Sequence, residues 1–172
     1  MSTVQVMFSG DEVRRRIERI AQEMREDYSD KNPLLIAVLK GSFVFLADLV
    51  RAINMPLEVD FVRLSSYGSG TESSGRIKVV HRLGTTVKGR HVIVVEDIVD
   101  SGLTLSFFMD ELRRRRPASL RLCALLDKPS RRIVPVSIDY LCFTVPEKFV
   151  VGYGIDCDEK FRYLPEVCYL ED

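Results

Sequence analysis

This sequence has few or none of the features that indicate a transition-metal site, a disulfide framework or a membrane protein. Only two histidines, His81 and His91, occur among 172 residues, which argues against a histidine-rich transition-metal site. The four cysteines show no C-x-x-C spacing, and we expect them to be reduced thiols with a structural role. No apolar run approaches the roughly 20 residues that span a bilayer, and the first residues lack a signal-peptide pattern. The sequence therefore predicts a cytoplasmic protein with no membrane partner.

A net charge is also missing, because 25 basic and 25 acidic residues cancel. A neutral chain is a poor candidate for non-specific binding to nucleic acids, which depends on the neutralisation of phosphates. The four arginines at 113–116 precede Pro117, and basic residues at the end of a helix complement its dipole. We therefore predict no nucleic-acid partner.

The chain is long enough for one domain with a sizeable core. Continuous apolar runs at 34–39 and 92–95 are typical of strands buried on both faces. Helical spacing predicts helices at 11–28, 43–53 and 103–112, and further strands are predicted at 57–64, 76–83, 120–126, 138–145 and 167–170. This alternation predicts an α/β fold whose parallel sheet is flanked by helices on both faces, with a small β-rich cap formed by the last forty-odd residues.

The most informative stretch is 92–105, where a buried strand runs into three acids, Glu96, Asp97 and Asp100. Ser-Gly-Leu-Thr follows at 101–104 and opens a helix. Unpaired amides and the positive end of a helix make such a junction an anion site. The acids would repel a bare phosphate, whereas a sugar phosphate bound with Mg²⁺ would use both features. On these residues alone, carboxylates that only cap the helix are the alternative.

Two further turns lie at predicted carboxyl ends of strands, where open α/β sheets bind ligands. Lys40 and Gly41 follow the apolar run at 34–39, and Lys128 follows the strand at 120–126. Between two predicted strands, residues 65–75 contain three glycines and five serines, which predicts a mobile loop. On composition alone, a plain linker is the alternative for this loop.

Four sequence strings resemble one enzyme family. EDIVDSGLT at 96–104 resembles, nearly letter for letter, the signature for 5-phosphoribosyl-1-pyrophosphate (PRPP) of the type I phosphoribosyltransferases, in the form of the 6-oxopurine branch. LKGS at 39–42, DKPSRR at 127–132 and KFVVGYGID at 148–156 resemble the pyrophosphate loop, the purine loop and the hood of that branch. The resemblance runs from about residue 5 to about residue 170 and is greatest to the short bacterial hypoxanthine phosphoribosyltransferases.

This resemblance implies a type I phosphoribosyltransferase fold in which residues 1–172 form one domain. The core would lie at about 30–145, and the hood would combine N-terminal residues with about 146–172. The loop at 65–75, with Ser66 and Tyr67, resembles the flexible catalytic loop of the family, which closes over PRPP. The implied reaction is one of purine salvage, in which hypoxanthine or guanine and PRPP give IMP or GMP and pyrophosphate. The resemblance also implies Mg²⁺ as cofactor, assembly into a homodimer or homotetramer, and a peptide bond before Lys40 that is often cis in the family.

The resemblance also assigns roles to individual residues. Asp100 would be the general base that accepts the N7 proton of the purine while N9 attacks. Mg²⁺ would be held by Glu96 and Asp97 and, through water, by Asp156. The residues implied to bind PRPP are Lys40, Gly41, Ser66, Tyr67, Glu96, Asp97, Asp100, Ser101, Gly102, Leu103, Thr104 and Arg162. The residues implied to bind the purine are Lys128 at the exocyclic O6, Phe149 by stacking, and the backbone around Val150 and Asp156.

Rival interpretations differ in substrate or in activity. By resemblance, an adenine-specific enzyme would lack the acid at position 100. It would also lack the lysine at position 128, because an ammonium group can donate to an oxo group but would be repelled by an amino group. A preference for xanthine stays open. A PRPP-binding regulator of nucleic acids that has lost catalysis is the alternative from another class, and the neutral charge together with Asp100 and Lys128 counts against it.

Overall fold

A mostly parallel sheet forms the centre of the molecule. The computed structural model describes residues 3–66 and 77–171, and at positions 66, 78, 80 and 81 it describes the backbone alone. Along the chain the elements are β1 (Thr3–Phe8), α1 (Gly10–Tyr28), β2 (Leu34–Leu39), α2 (Phe43–Ile53), β3 (Glu58–Ser66), β4 (Ile77–His81), β5 (His91–Val99), α3 (Leu103–Arg114), β6 (Ser119–Asp127), β7 (Tyr140–Thr144), β8 (Phe149–Val151) and β9 (Val167–Glu171).

The central sheet has the strand order β4-β3-β2-β5-β6-β7. The pairs from β3 to β7 are parallel, and β4 returns antiparallel to β3 at the edge. Because parallel neighbours end on the same side, the carboxyl ends of β3, β2, β5, β6 and β7 lie along one edge of the sheet. Open α/β sheets bind their ligands beyond this edge.

The central strands are buried on both faces, as their continuous apolar runs predict. On β2, Leu35 and Ala37 pack into the core formed with α1 and α2, whereas Leu34, Ile36 and Val38 pack into the core formed with α3. Because successive side chains of a strand point to opposite faces of the sheet, β2 contributes to two separate cores. The helices lie on both faces of the sheet, which confirms the predicted α/β architecture.

Helix α1 begins at a capping box. Ser9 Oγ accepts a hydrogen bond from the Glu12 amide at 3.3 Å, and Glu12 Oε2 accepts one from the Ser9 amide at 2.8 Å. These two bonds satisfy donors that the start of a helix otherwise leaves unpaired. The predicted apolar face of α1 is buried throughout, from Val13 to Tyr28.

A second sheet is small and antiparallel, with the strand order β1-β9-β8. It is the hood that the sequence predicts, and it contains both chain-terminal segments of the described structure. The sequence predicts that these segments belong to the hood, but it does not predict β1 or β8 as strands. Both are short, and among the described residues each pairs with β9 alone, so their extended conformation depends on a partner strand.

Most predicted elements agree with the structure to within two residues at each end. The strand predicted at 34–39 and the helix predicted at 43–53 have the same bounds in the structure, and the predicted hairpin arm at 76–83 is β4. The peptide bond between Leu39 and Lys40 is cis. All four cysteines are free, and among the described residues no helix has the length and apolar character needed to cross a membrane. The loop predicted at 65–75 lies outside the described residues, apart from residues 65 and 66 at the end of β3.

Candidate active site

The predicted site residues of the core lie at the carboxyl ends of three adjacent strands. Lys40 follows β2, Asp100 follows β5, and Lys128 follows β6. The sheet order alone therefore brings together segments that are separated by up to 88 positions in the sequence. Ser66 ends β3 on the same side, but only its backbone is described, and Tyr67 lies outside the described residues.

The turn between β5 and α3 has the features of an anion site. Gly102 adopts the left-handed conformation with φ +83°, and α3 begins at Leu103. Within the described structure, no hydrogen bond is made by the amides of Ser101, Gly102 and Thr104, whereas the Leu103 amide lies 3.4 Å from Ser101 Oγ. These free amides stand at the positive end of a 12-residue helix, so they favour an anionic ligand.

Asp100 stands directly before this turn. Its side chain is 43 % exposed, and Nε of Arg131 lies 3.3 Å from Oδ1. That oxygen is nevertheless buried and accepts no hydrogen bond from a described residue. A buried carboxylate oxygen without a hydrogen-bond donor retains its capacity to accept a proton or a hydrogen bond from a ligand.

The two preceding acids form a patch of like charge. Glu96 Oε1 accepts a hydrogen bond from the Asp97 amide at 3.1 Å, and Asp97 Oδ1 accepts one from the Ile98 amide at 2.8 Å. Burial raises the pKa of the Glu96 carboxyl well above its ordinary value, and the neighbouring Asp97 raises it further. A divalent cation would relieve this repulsion, and adjacent carboxylates are the ligands that Mg²⁺ prefers.

No group of three or more histidine, cysteine, aspartate or glutamate side chains is close enough to hold a metal in the part of the chain that the structure describes. Two carboxylates would therefore hold Mg²⁺ only together with water and the oxygens of a substrate, which is the usual pattern for this ion. Asp156 faces other partners, because its Oδ1 pairs with Arg162 at 2.9 Å and its Oδ2 accepts from the Glu159 amide at 2.8 Å.

Gly41 joins the core to the hood. A Cβ atom at this position would lie 1.8 Å from Asp97 Oδ2, so the Asp97 carboxylate packs directly against the turn after β2. On its other side, a Cβ atom at Gly154 of the hood would lie 2.6 Å from the Gly41 carbonyl oxygen. Gly154 requires glycine, because it adopts a positive φ of +94° and a side chain there would clash with the Gly41 backbone, whereas a side chain at Gly41 would displace the Asp97 carboxylate.

The hood carries an acid that the sequence analysis missed. Glu159 Oε1 lies 2.8 Å from Lys40 Nζ, and Glu159 Oε2 lies 3.4 Å from Arg162 Nη2. Glu159 thus contacts both cations that were predicted to bind pyrophosphate, and the hydrogen bond from Lys40 lowers the pKa of its carboxyl. No local pattern in the sequence could have identified this contact, since Lys40 and Glu159 lie 119 positions apart.

The predicted purine residues lie where β6 meets the hood. The Lys128 side chain is buried, and its Nζ donates to the Lys148 carbonyl at 2.7 Å. Phe149 is 56 % exposed, so it is not a core aromatic, whereas Val150 is buried in the main core. The Lys128 ammonium group therefore contacts the backbone segment that continues into Phe149 and Val150.

Comparisons with known proteins agree with this arrangement. Residues 9–158 match the model of the phosphoribosyl transferase domain. The chain is 42 % identical over 167 residues to a hypoxanthine-guanine phosphoribosyltransferase of Streptococcus thermophilus, a match that covers 97 % of this chain and 93 % of the relative.

Solved structures of similar proteins have the same fold. A hypoxanthine-guanine phosphoribosyltransferase of Bacillus anthracis, with HEPES in its active site, has a TM-score of 0.90 at 43 % identity and covers 95 % of this chain and 96 % of its own. A hypoxanthine phosphoribosyltransferase of Trypanosoma cruzi in a ternary substrates complex has a TM-score of 0.91 at 41 % identity, with coverage of 97 % and 95 %. The chain therefore belongs to the phosphoribosyl transferase family, in the branch of the hypoxanthine-guanine phosphoribosyltransferases.

Proposed function

We propose that this chain transfers the 5-phosphoribosyl group of PRPP to hypoxanthine or guanine, with Asp100 as the general base and Mg²⁺ as the cofactor. The products would be IMP or GMP and pyrophosphate, as in purine salvage. The observation that carries the proposal is the position of Asp100, between the free amides of an anion site and the strand end that bears Lys128.

The turn after β5 would bind the 5′-phosphate of PRPP. The amides of Ser101, Gly102 and Thr104 would donate to it, and the hydroxyl groups of Ser101 and Thr104 can do the same. Glu96 and Asp97 would accept from the ribose hydroxyls and hold Mg²⁺, which supplies positive charge to the ribose and pyrophosphate oxygens when it is bound. This arrangement accounts for acids beside an anion site.

Lys40 and Arg162 would bind the pyrophosphate group, with the Gly41 backbone beside them. In the described structure both cations contact Glu159, so pyrophosphate would replace a carboxylate as their partner. This exchange keeps the cations paired with an anion before and after the substrate binds. Their charge would stabilise the negative charge that develops as pyrophosphate leaves.

The purine would lie between Lys128 and Asp100. Lys128 Nζ donates one hydrogen bond to Lys148, and an ammonium group has further protons to donate to an exocyclic O6. The exposed Phe149 ring can stack on the base. In the transfer, the bond from C1′ to the pyrophosphate oxygen breaks, a bond from N9 to C1′ forms, and Asp100 accepts the N7 proton.

Two alternatives remain distinct from this proposal. A preference for xanthine would depend on recognition of O2 by the backbone from Val150 to Asp156. A regulator that binds PRPP without catalysis would use the phosphate turn but would have no need for the proton acceptor at Asp100. We also propose that the chain is cytoplasmic and forms a homodimer or homotetramer, as the family resemblance implies.

The proposed function is tested by steady-state assays with PRPP, Mg²⁺ and each of four purines. We expect turnover with hypoxanthine, guanine or both, little with adenine, and none after EDTA removes the metal. Turnover restricted to xanthine would select the first alternative. PRPP binding in calorimetry without turnover of any purine would select the regulator and contradict the proposal.

Replacement of the proton acceptor tests its role. Asp100→Asn should reduce kcat by about 10²- to 10⁴-fold, the usual contribution of a general base, and should leave PRPP affinity largely unchanged. Asp110→Asn, on the exposed face of α3, is the matched control. If Asp100→Asn turned over at nearly the normal rate, the general-base role would be wrong.

Replacement of the buried lysine tests purine recognition. Lys128→Ala should weaken purine binding by about 1–3 kcal/mol, because a charged hydrogen bond to O6 is lost. The matched control is Lys148→Ala, whose side chain lies over Tyr169, with Nζ 3.9 Å from the ring centroid, and whose carbonyl is unaffected by the change. Equal purine affinity in the two variants would place the O6 contact elsewhere.

A further inference from the structure

Three successive carbonyl groups of the turn after β5 accept hydrogen bonds from the segment that follows β6. The Val99 oxygen accepts from the Lys128 amide at 3.0 Å and from Arg132 Nη2 at 3.2 Å. The Asp100 oxygen accepts from Arg132 Nε at 2.9 Å. The Ser101 oxygen accepts from the amides of Ile133 at 2.9 Å and Val134 at 3.1 Å. The carbonyls of Val99, Asp100 and Ser101 are therefore all bonded by the segment from Lys128 to Val134.

The orientation of these carbonyls determines the direction of the amides. In a planar trans peptide the C=O and N–H groups point in opposite directions, and the cis bond of the described structure is at Leu39–Lys40, not in this turn. The amides of Asp100, Ser101 and Gly102 must therefore point away from the segment 132–134. No described residue accepts a hydrogen bond from them, so they are available to a ligand.

Arg132 is well placed to fix this geometry. Its side chain is only 17 % exposed and forms an ion pair with Asp127, which is similarly buried. The planar guanidinium group thus bonds one carboxylate and two successive carbonyls, and a compact ammonium group cannot reproduce that fork. The segment also approaches very closely, since a Cβ atom at Gly102 would lie 2.6 Å from the Val134 oxygen.

We propose that Arg132, with the amides of Ile133 and Val134, is the positioning element that aims the phosphate-binding amides and the Asp100 carboxylate at the substrate. The inference rests on the proposed function, because the anion at the amides is taken to be the 5′-phosphate of PRPP. Arg132 touches no reacting atom in this scheme. It acts through the two peptide groups on either side of the Asp100 Cα atom, which set the direction of that side chain.

The segment from Lys128 to Val134 belongs to both proposed substrate sites. Lys128, the proposed purine donor, begins the loop whose later residues hold the phosphate turn, and its amide bonds Val99. A displacement of Arg132 would therefore affect the phosphate site first and the purine site less, because the backbone bond between Lys128 and Val99 would remain. This predicts a larger effect on PRPP than on the purine.

The test uses Arg132→Lys in the full chain, with Arg121→Lys as the matched control. Like Arg132, Arg121 pairs with an aspartate, Asp27, but it lies near the amino end of β6, away from the turn, and its hydrogen-bond partners are side chains. For Arg132→Lys we expect the Kd for ribose 5-phosphate in calorimetry to rise by about tenfold or more, the typical cost of losing a charge-assisted hydrogen bond. The KM for PRPP should rise more than the KM for the purine, and the melting temperature should resemble that of Arg121→Lys. Affinity within twofold of the wild-type value would overturn the proposal.

A second pair of variants tests the backbone contact with the arginine left in place. Ile133→Pro removes the shorter of the two amide hydrogen bonds to the Ser101 carbonyl, and the extended Arg132 backbone at ψ 125° suits a residue that precedes proline. Ile133→Ala loses the same exposed side chain but keeps the amide. We expect Ile133→Pro to bind ribose 5-phosphate several-fold more weakly than Ile133→Ala, and equal affinities would contradict the positioning role.

The wild-type chain separates this inference from the proposed function. If it binds neither ribose 5-phosphate nor PRPP, the proposed function fails and the inference fails with it. If it binds both and turns over, but Arg132→Lys and Ile133→Pro match their controls, only the positioning role is wrong.

Discussion

The turn between β5 and α3 depends on hydrogen bonds to its carbonyl groups as well as on the left-handed conformation of Gly102. With the oxygens of Val99, Asp100 and Ser101 bonded by the segment after β6, the corresponding amides can only face the ligand side. The anion site therefore results from two strand ends acting together. The proposed phosphate binding, the direction of the Asp100 carboxylate and the position of the proposed purine loop would all depend on this one set of contacts.

The hood packs against the core through a close contact of backbone with backbone. A side chain at Gly154 of the hood would clash with the carbonyl oxygen of Gly41, and Asp97 of the core packs against the same glycine. Glu159 meanwhile forms an exposed ion pair with Lys40 and lies 3.4 Å from Arg162, which Asp156 holds more closely at 2.9 Å. An exposed ion pair of this kind contributes little to stability, so an incoming anion can replace it at small cost.

Much of the fold could be predicted from the sequence because its signals are local. The run at 34–39 is apolar at every position, which is sufficient to predict a strand buried on both faces, and the charges between the apolar residues of 11–28 define one helix face. The acids and the glycine that indicate an anion site likewise lie close together in the sequence, at 96–104. By contrast, the contact of Glu159 with Lys40 and the bonds of Arg132 to the turn depend on strand order and hood placement, which no spacing in the sequence encodes. The short strand β1 is extended only because β9 pairs with it.

The most direct test of the account is a crystal structure of the chain with IMP, the product expected from hypoxanthine. We expect the 5′-phosphate within hydrogen-bond distance of the amides of Ser101, Gly102 and Thr104, with the Asp100 carboxylate facing N7 and Lys128 facing O6. Arg132 should keep its bonds to the Val99 and Asp100 carbonyls. A phosphate bound instead at Lys40 and Arg162, or a base remote from Asp100, would contradict the account.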